Sequence, residues 1–193
     1  MKSKLIITAL MVLSSLSASA RIWLGGEMAL KTSSTSRASY LLGSGTWFEI
    51  SPEVGYYISP KWSVALRIGY AHTSDSEVQL IDQKMYGTYN QVSVSSFVRY
   101  TYYRTGKFSF FADAAVGYSF LKKVYTDPTL QCISIGVRPG LAFAISPRVG
   151  LTGHLGSIGY DHQWMREKGQ TLTNDTFHFN IFSSISFGAY VNF

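Results

Sequence analysis

From Phe177 to Phe193 the chain alternates in character. Phe177, Phe179, Ile181, Ile185, Phe187, Ala189, Val191 and Phe193 share one parity, and His178, Asn180, Ser184, Ser186, Gly188, Tyr190 and Asn192 share the other. A repeat of two residues marks a β-strand with unlike faces, whereas an amphipathic helix repeats every 3.6. The same split recurs over Ile22–Leu30, Phe48–Ile58, Trp62–Tyr70, Val92–Tyr102, Phe108–Tyr118, Ile133–Ile145 and Val149–Leu155. No window sustains a helical period. The seventh segment loses its phase near Ile158, which predicts a bulge there. The pattern therefore predicts eight strands.

The connections alternate in length. Ser59-Pro60-Lys61, Thr105-Gly106-Lys107 and Ser146-Pro147-Arg148 are tight turns of one design: a small hydroxyl, then Pro or Gly, then a base. Thr32–Thr46, Thr73–Tyr89, Leu121–Gln131 and Asp161–Thr176 read as long polar loops. An even number of strands with short turns at one end and long loops at the other is the layout of a small membrane barrel. The predicted fold class is all-β, an eight-stranded antiparallel up-and-down transmembrane β-barrel, with both chain ends on the short-turn side.

Alternation alone leaves open which face is outside, and a secreted soluble barrel of the lipocalin type would bury the apolar one. Three features favour lipid outside. The polar parity is mostly Gly, Ser and Ala, which suit a narrow interior better than a watery surface. The apolar parity carries no charge at membrane depth, where Arg or Lys facing lipid costs about 2–4 kcal/mol. Aromatics gather at both strand ends, with Tyr56, Trp62, Tyr100, Tyr102 and Phe108 near the short turns and Tyr70, Tyr118 and Phe120 near the long loops. Two such girdles match two bilayer interfaces.

With strands, turns and girdles placed, the chain resembles the small eight-stranded outer-membrane barrels, the OmpX, OmpA-barrel and OmpW-like group. Phe97-Val98-Arg99-Tyr100 and Val137-Arg138-Pro139-Gly140-Leu141 look like porin-family barrel domains of the Bacteroidota type. In that group the last strand ends in Phe, preceded by apolar residues at alternate positions, as Phe193, Val191, Ala189, Phe187 and Ile185 are here. The resemblance implies a Gram-negative outer membrane, with lipids and lipopolysaccharide around the barrel. It implies recognition by the barrel assembly machinery with Phe193 as the assembly signal, and no peptidoglycan-binding domain after the barrel.

Seven charges fall on the inward parity: Glu27, Glu49, Glu53, Arg67, Arg99, Asp113 and Arg138. If Ser59-Pro60-Lys61 is a three-residue turn, Ile58 faces Trp62, and five steps along each strand bring Glu53 opposite Arg67. In the second hairpin Arg104 would face Phe108, and five steps bring Arg99 opposite Asp113. At ~3.3 Å per residue and ~40° tilt, both pairs rise roughly 13 Å, near the middle of a ~25 Å apolar band. Eight strands leave an interior just wide enough for side chains to fill. The expected role of these charges is therefore a structural plug, with a selectivity ring for a narrow conduit as the alternative. Beyond the lumen, Arg21, Lys61, Arg104, Lys107 and Arg148 make the short-turn end wholly basic, while the loop end mixes both signs. The basic balance reads as membrane contact, with no nucleic-acid binding expected.

Composition narrows the classes further. Of 193 residues, 46% are hydrophobic and 15% aromatic, which excludes disorder; 15% are charged, against about 25% for a soluble domain. One cysteine excludes a disulfide scaffold. Met1–Ala20 reads as a cleaved signal peptide, with Lys2 and Lys4 before an apolar run to Leu13 and Ala18-Ser19-Ala20 at the cleavage site, so residues 21–193 form the barrel domain. That run is too short to span a bilayer as a helix. His72, His154, His162 and His178 lack metal-ligand spacing, and Cys132 reads as inert. His72-Thr73-Ser74 with Glu77 is a weak match to a lipid-deacylating pair. No cofactor, metal or catalytic residue is assigned. The expected function is a structural or surface-interaction barrel, with a loop partner of unknown kind; the alternatives are a narrow porin-like channel and, distantly, a lipid A-modifying enzyme.

Overall fold

The computed structural model describes residues 21–34, 44–80, 83–123, 129–167 and 170–193. Residues 1–20, the expected signal peptide, and the centres of the long connections lie outside the described residues. Eight strands, β1 (Ile22–Ser34), β2 (Ser44–Tyr57), β3 (Trp62–Leu80), β4 (Gln83–Thr105), β5 (Phe108–Lys123), β6 (Thr129–Ala144), β7 (Val149–Glu167) and β8 (Gln170–Asn192), pair antiparallel in chain order and close into a barrel. At the closing seam Trp23–Met28 of β1 runs opposite Phe187–Asn192 of β8. One further bond joins the Phe193 N–H to the Ile22 carbonyl at 3.0 Å. Closure leaves each edge strand a partner, which lipid requires because it offers none.

The apolar parity faces out. Ile68, Ile135 and Phe187 are 59, 59 and 69% exposed, and Leu66, Val94, Val116, Leu151 and Ile185 share that face. An apolar surface running around all eight strands far exceeds the few hundred Å² that soluble proteins tolerate, and it fits hydrocarbon. The opposite parity is inside: Trp23, Ala65, Phe97 and Phe111 are buried together with the charged groups. Trp23 fills the lumen because Gly55 leaves it room; a Cβ at Gly55 would collide with the indole ring.

Two expectations change. The β3–β4 and β7–β8 connections are ladders rather than long loops, pairing as far as Leu80↔Gln83 and Glu167↔Gln170. Side-chain alternation reports the contrast between lipid and lumen. It fades where both faces meet water, although the backbone ladder continues. The bulge expected near Ile158 is present: the β6–β7 register shifts between Val137↔Ile158 and Gly140↔His154, the β7–β8 register shifts between His154 and Gly156, and Gly156 adopts φ 106 there. Glycine takes such a backbone without the steric cost other residues meet.

The β4–β5 turn holds two residues, Gly106 and Lys107, not three. Gly106 has φ 55, as tight hairpins require. Arg104 therefore faces Ser109 rather than Phe108, and a register shift between Thr101 and Tyr103 restores the three-residue register above it. The two offsets cancel, so Arg99 still faces Asp113.

Gly55→Ala is expected to displace Trp23 and to destabilise the barrel by about 1–3 kcal/mol, as overpacking does. Urea midpoints and tryptophan emission of the refolded protein measure this; an unchanged midpoint with unchanged emission would show that Trp23 does not pack on Gly55.

Candidate functional site

At one height in the lumen every strand contributes one polar side chain: Glu27 from β1, Glu53 from β2, Arg67 from β3, Arg99 from β4, Asp113 from β5, Arg138 from β6, His154 from β7 and Ser186 from β8. Strand tilt is what makes this ring. Residues paired on one ladder rung climb around the barrel, so groups at equal height come from different rungs.

The contacts form a closed network. Arg67 donates from Nε and Nη2 to Glu53 Oε2, at 3.1 and 2.8 Å, and from Nη2 to Glu27 Oε1 at 2.8 Å. Arg99 grips Asp113 with two parallel bonds, Nε to Oδ1 at 2.7 Å and Nη2 to Oδ2 at 2.8 Å. This fork geometry is the strongest form of the pair. Arg138 Nη2 donates to Glu27 Oε2 at 2.8 Å and to Ser186 Oγ at 3.1 Å, and Ser186 Oγ donates to Glu27 Oε2 at 2.9 Å. Asp113 is 0% exposed, and Glu27, Glu53, Arg67 and Arg99 are buried. Six of the seven lumen charges predicted from sequence thus meet. Glu49 stands apart and accepts a 2.6 Å bond from Ser51 Oγ.

His154 joins the belt without having been singled out. Only 1% exposed, it bridges two acids: Nε2 lies 2.9 Å from Asp113 Oδ2, and Nδ1 lies 3.0 Å from Glu27 Oε1, off the line of a hydrogen bond. Both ring nitrogens of His154 face carboxylates. Its inward parity on β7 was the available signal.

The same parity held the aromatic half of the site. The Arg99 guanidinium lies 4.1 Å from the Phe111 ring centre, 5.1 Å from Trp23 and 5.3 Å from Phe97, while Arg67 lies 4.6 Å from Phe97. Phe111 also meets His154 edge-on at 5.2 Å. Desolvated guanidinium groups gain from the negative faces of these rings.

Polar cavities flank this packed layer. On the long-loop side Glu49, Arg67, Arg138 and a set of serines line about 290 Å³, continuing past Gln91 and Ser119 into a further 300 Å³. On the short-turn side a cavity of about 460 Å³ lies between Tyr57, Arg104 and Tyr190. A concavity of about 900 Å³ belongs to the lipid-facing exterior around Val64, Val98 and Val137.

The other candidates lie elsewhere. His72 Nδ1 is 2.8 Å from Asn90 Oδ1, which also accepts from the Tyr70 hydroxyl at 3.0 Å. Ser74 follows two residues later on β3, and the Glu77 side chain lies outside the described residues. His162 meets Asp175 at 2.6 Å and His178 meets Asp161 at 3.1 Å, both toward the long loops. There the Tyr160 hydroxyl, followed by His162, holds the Asp175 carboxyl below its usual range. Cys132 is half-buried on β6, opposite Ser119 of β5. Among the described residues no group of three His, Cys, Asp or Glu could hold a metal.

No family model matches the chain, and no curated protein does. Solved structures similar to it are outer-membrane barrels. Neisserial surface protein A is 17% identical, with 90% of this chain and 98% of that one covered and a TM-score of 0.48. The N-terminal β-barrel domain of Pseudomonas aeruginosa OprF is 12% identical over the same shares, also at 0.48. The Yersinia pestis outer membrane protein Ail, in a phospholipid bilayer nanodisc, is 13% identical over 89% and 99%, at 0.42. At this similarity no functional residue passes from them to this chain.

Arg67→Ala is expected to cost about 3–5 kcal/mol, because it removes the guanidinium that is bonded to buried Glu53. Adding Glu53→Ala should cost less than the sum of the single changes. A double-mutant cycle read by urea unfolding in lipid vesicles checks this; strict additivity would mean that the two side chains do not interact.

Proposed function

We propose that this protein is an outer-membrane β-barrel of a Gram-negative envelope with a closed lumen and a structural or surface-interaction role. The observation that supports closure is the belt: one polar group from each strand, six of them buried and Arg138 and Ser186 half-buried, bonded to one another, with Trp23, Phe97 and Phe111 filling the space beside it. The interior of an eight-stranded barrel is only about as wide as the side chains that fill it, which favours closure by such a layer. The mixed signs of the belt also differ from the single-sign rings that select ions. The wide apolar exterior supports residence in the membrane among lipids and lipopolysaccharide. On this reading both chain ends sit in the periplasm, and the extended β3–β4 and β7–β8 hairpins reach the cell surface, where a partner would meet them.

A gated conduit is the second reading, and what favours it is specific: polar cavities lie on both sides of the belt. Planar-bilayer recording separates the two. The wild-type barrel should show no conductance steps; regular unitary openings would overturn closure. The enzyme reading is not adopted. The Nδ1 of His72 already engages Asn90, and that nitrogen would be one route for activating Ser74.

The exposed Phe193 closes the alternating C-terminal strand and is assigned to recognition by the barrel assembly machinery. Deleting Phe193 should lower outer-membrane levels, measured by fractionation, while the protein still leaves the cytoplasm. Unchanged levels would remove that role.

A further inference from the structure

The charged side chains at the short-turn mouth of the barrel are of one sign. Arg21, Lys61, Arg104, Lys107 and Arg148 are all exposed there, and among the described residues of the turns no Asp or Glu accompanies them. Their parity is inward. Arg21 continues the inward series Trp23, Gly25 and Glu27; Lys61 continues Ser63, Ala65 and Arg67; Arg148 continues Gly150, Thr152 and His154; Arg104 pairs with Ser109, two steps from buried Phe111. Arg21 and Arg104 line the cavity inside the mouth, while Lys61, Lys107 and Arg148 stand exposed around it.

Two of these bases are held in place. Arg21 Nη1 donates to the Ile58 carbonyl at 3.2 Å, and Arg104 Nη2 donates to the Pro60 carbonyl at 2.6 Å, so each guanidinium spends one of its five N–H donors on the first turn. Both line the 460 Å³ cavity with Tyr57, Tyr190 and Asn192. Asn192 Oδ1 accepts from the Tyr57 hydroxyl at 3.2 Å, which leaves its amide N–H groups to donate. The β2–β3 and β6–β7 turns stand half a circumference apart and share one construction. Ser59 Oγ accepts from the N–H of Lys61 and Trp62, and Ser146 Oγ accepts from the N–H of Arg148 and Val149. Each serine lines the cavity and fixes the turn that carries the neighbouring base, Lys61 or Arg148.

We propose that this cup is a receptor for an acidic peptide that enters along the barrel axis, its carboxylates taken by the Arg21 and Arg104 forks and its charge by the lysines around them. The volume lies in the range of small-ligand sites, the donors are many, and paired guanidinium forks match carboxylates bidentately. Lipid phosphates lie outside the wall, beyond the Trp62 and Phe108 girdle, on the face these bases do not share. The proposal holds whether or not the lumen conducts, so the bilayer recordings and this test fail separately.

The test uses residues 21–193 refolded in detergent micelles and a fluorescein-labelled tetraglutamate, read by anisotropy. Saturable binding is expected, weakening as salt rises. It should fall at least about tenfold in Arg21→Gln/Arg104→Gln, the loss of two charge-assisted contacts. Arg21→Lys/Arg104→Lys should retain most of the binding, and Lys122→Gln, at the opposite end, should leave it unchanged. Tetraglutamine should not bind. Absence of saturation, or equal binding by the Gln double variant, overturns the proposal. Displacement of the peptide by an equal concentration of inorganic phosphate would make the cup a simple ion site. Displacement by phosphatidylglycerol vesicles of matched charge would assign the collar to headgroups. Either result overturns the peptide receptor.

Discussion

Charges buried inside a narrow barrel must find one another. Eight strands enclose a lumen only as wide as the side chains that fill it, and hydrocarbon surrounds that lumen on the outside. A carboxylate there has no water shell to return to, and an unpaired one costs several kcal/mol. Glu27, Glu53 and Asp113 each meet at least one cation, and Glu27 meets Arg67, Arg138 and His154 at once. The remaining structure serves this condition. Glycines at the wall admit the aromatic rings, the rings cover the guanidinium faces, and the bulges adjust which residues arrive at the height of the belt.

The β4–β5 hairpin illustrates the last point. A two-residue turn would bring Arg99 out of register with Asp113 by one position, turning one of the two toward lipid. The irregularity between Thr101 and Tyr103 removes that offset before the belt is reached. The β7–β8 irregularity at His154 and Gly156 has a similar place, beside the residue that bridges Asp113 and Glu27. Bulges commonly mark the positions where a sheet must re-aim a side chain. Among the described residues three of the four border the charged layer, and the one between Val137 and Gly140 encloses Arg138 itself.

The two ends of the barrel differ in kind. Toward the long loops, histidines and acids pair with each other, as His162 does with Asp175 and His178 with Asp161. Toward the short turns, five bases have no acidic side chain beside them among the described residues, and two of them, Arg21 and Arg104, are tethered by backbone carbonyls. The belt separates these two electrostatic surroundings, and its own charges are matched.

Strand number, antiparallel order and the face turned to lipid were legible in the sequence, because lipid and lumen impose opposite side-chain chemistry at alternate positions along each strand. The Glu53–Arg67 opposition followed from a turn of known length, since register in a hairpin is local. Strand ends were not legible. Above the membrane both faces meet water, so the ladders of β3–β4 and β7–β8 continue without a pattern to announce them. Six charges of the belt were legible from their inward parity, but the way they meet across the lumen was not, and neither was the part of His154 and Ser186. Glu27, Asp113 and His154 lie on β1, β5 and β7 and share no hairpin, and Arg99 meets Trp23 across the lumen. Those contacts depend on strand tilt and on how far each rung climbs around the closed sheet. These are properties of all eight strands together, and no stretch of sequence carries them.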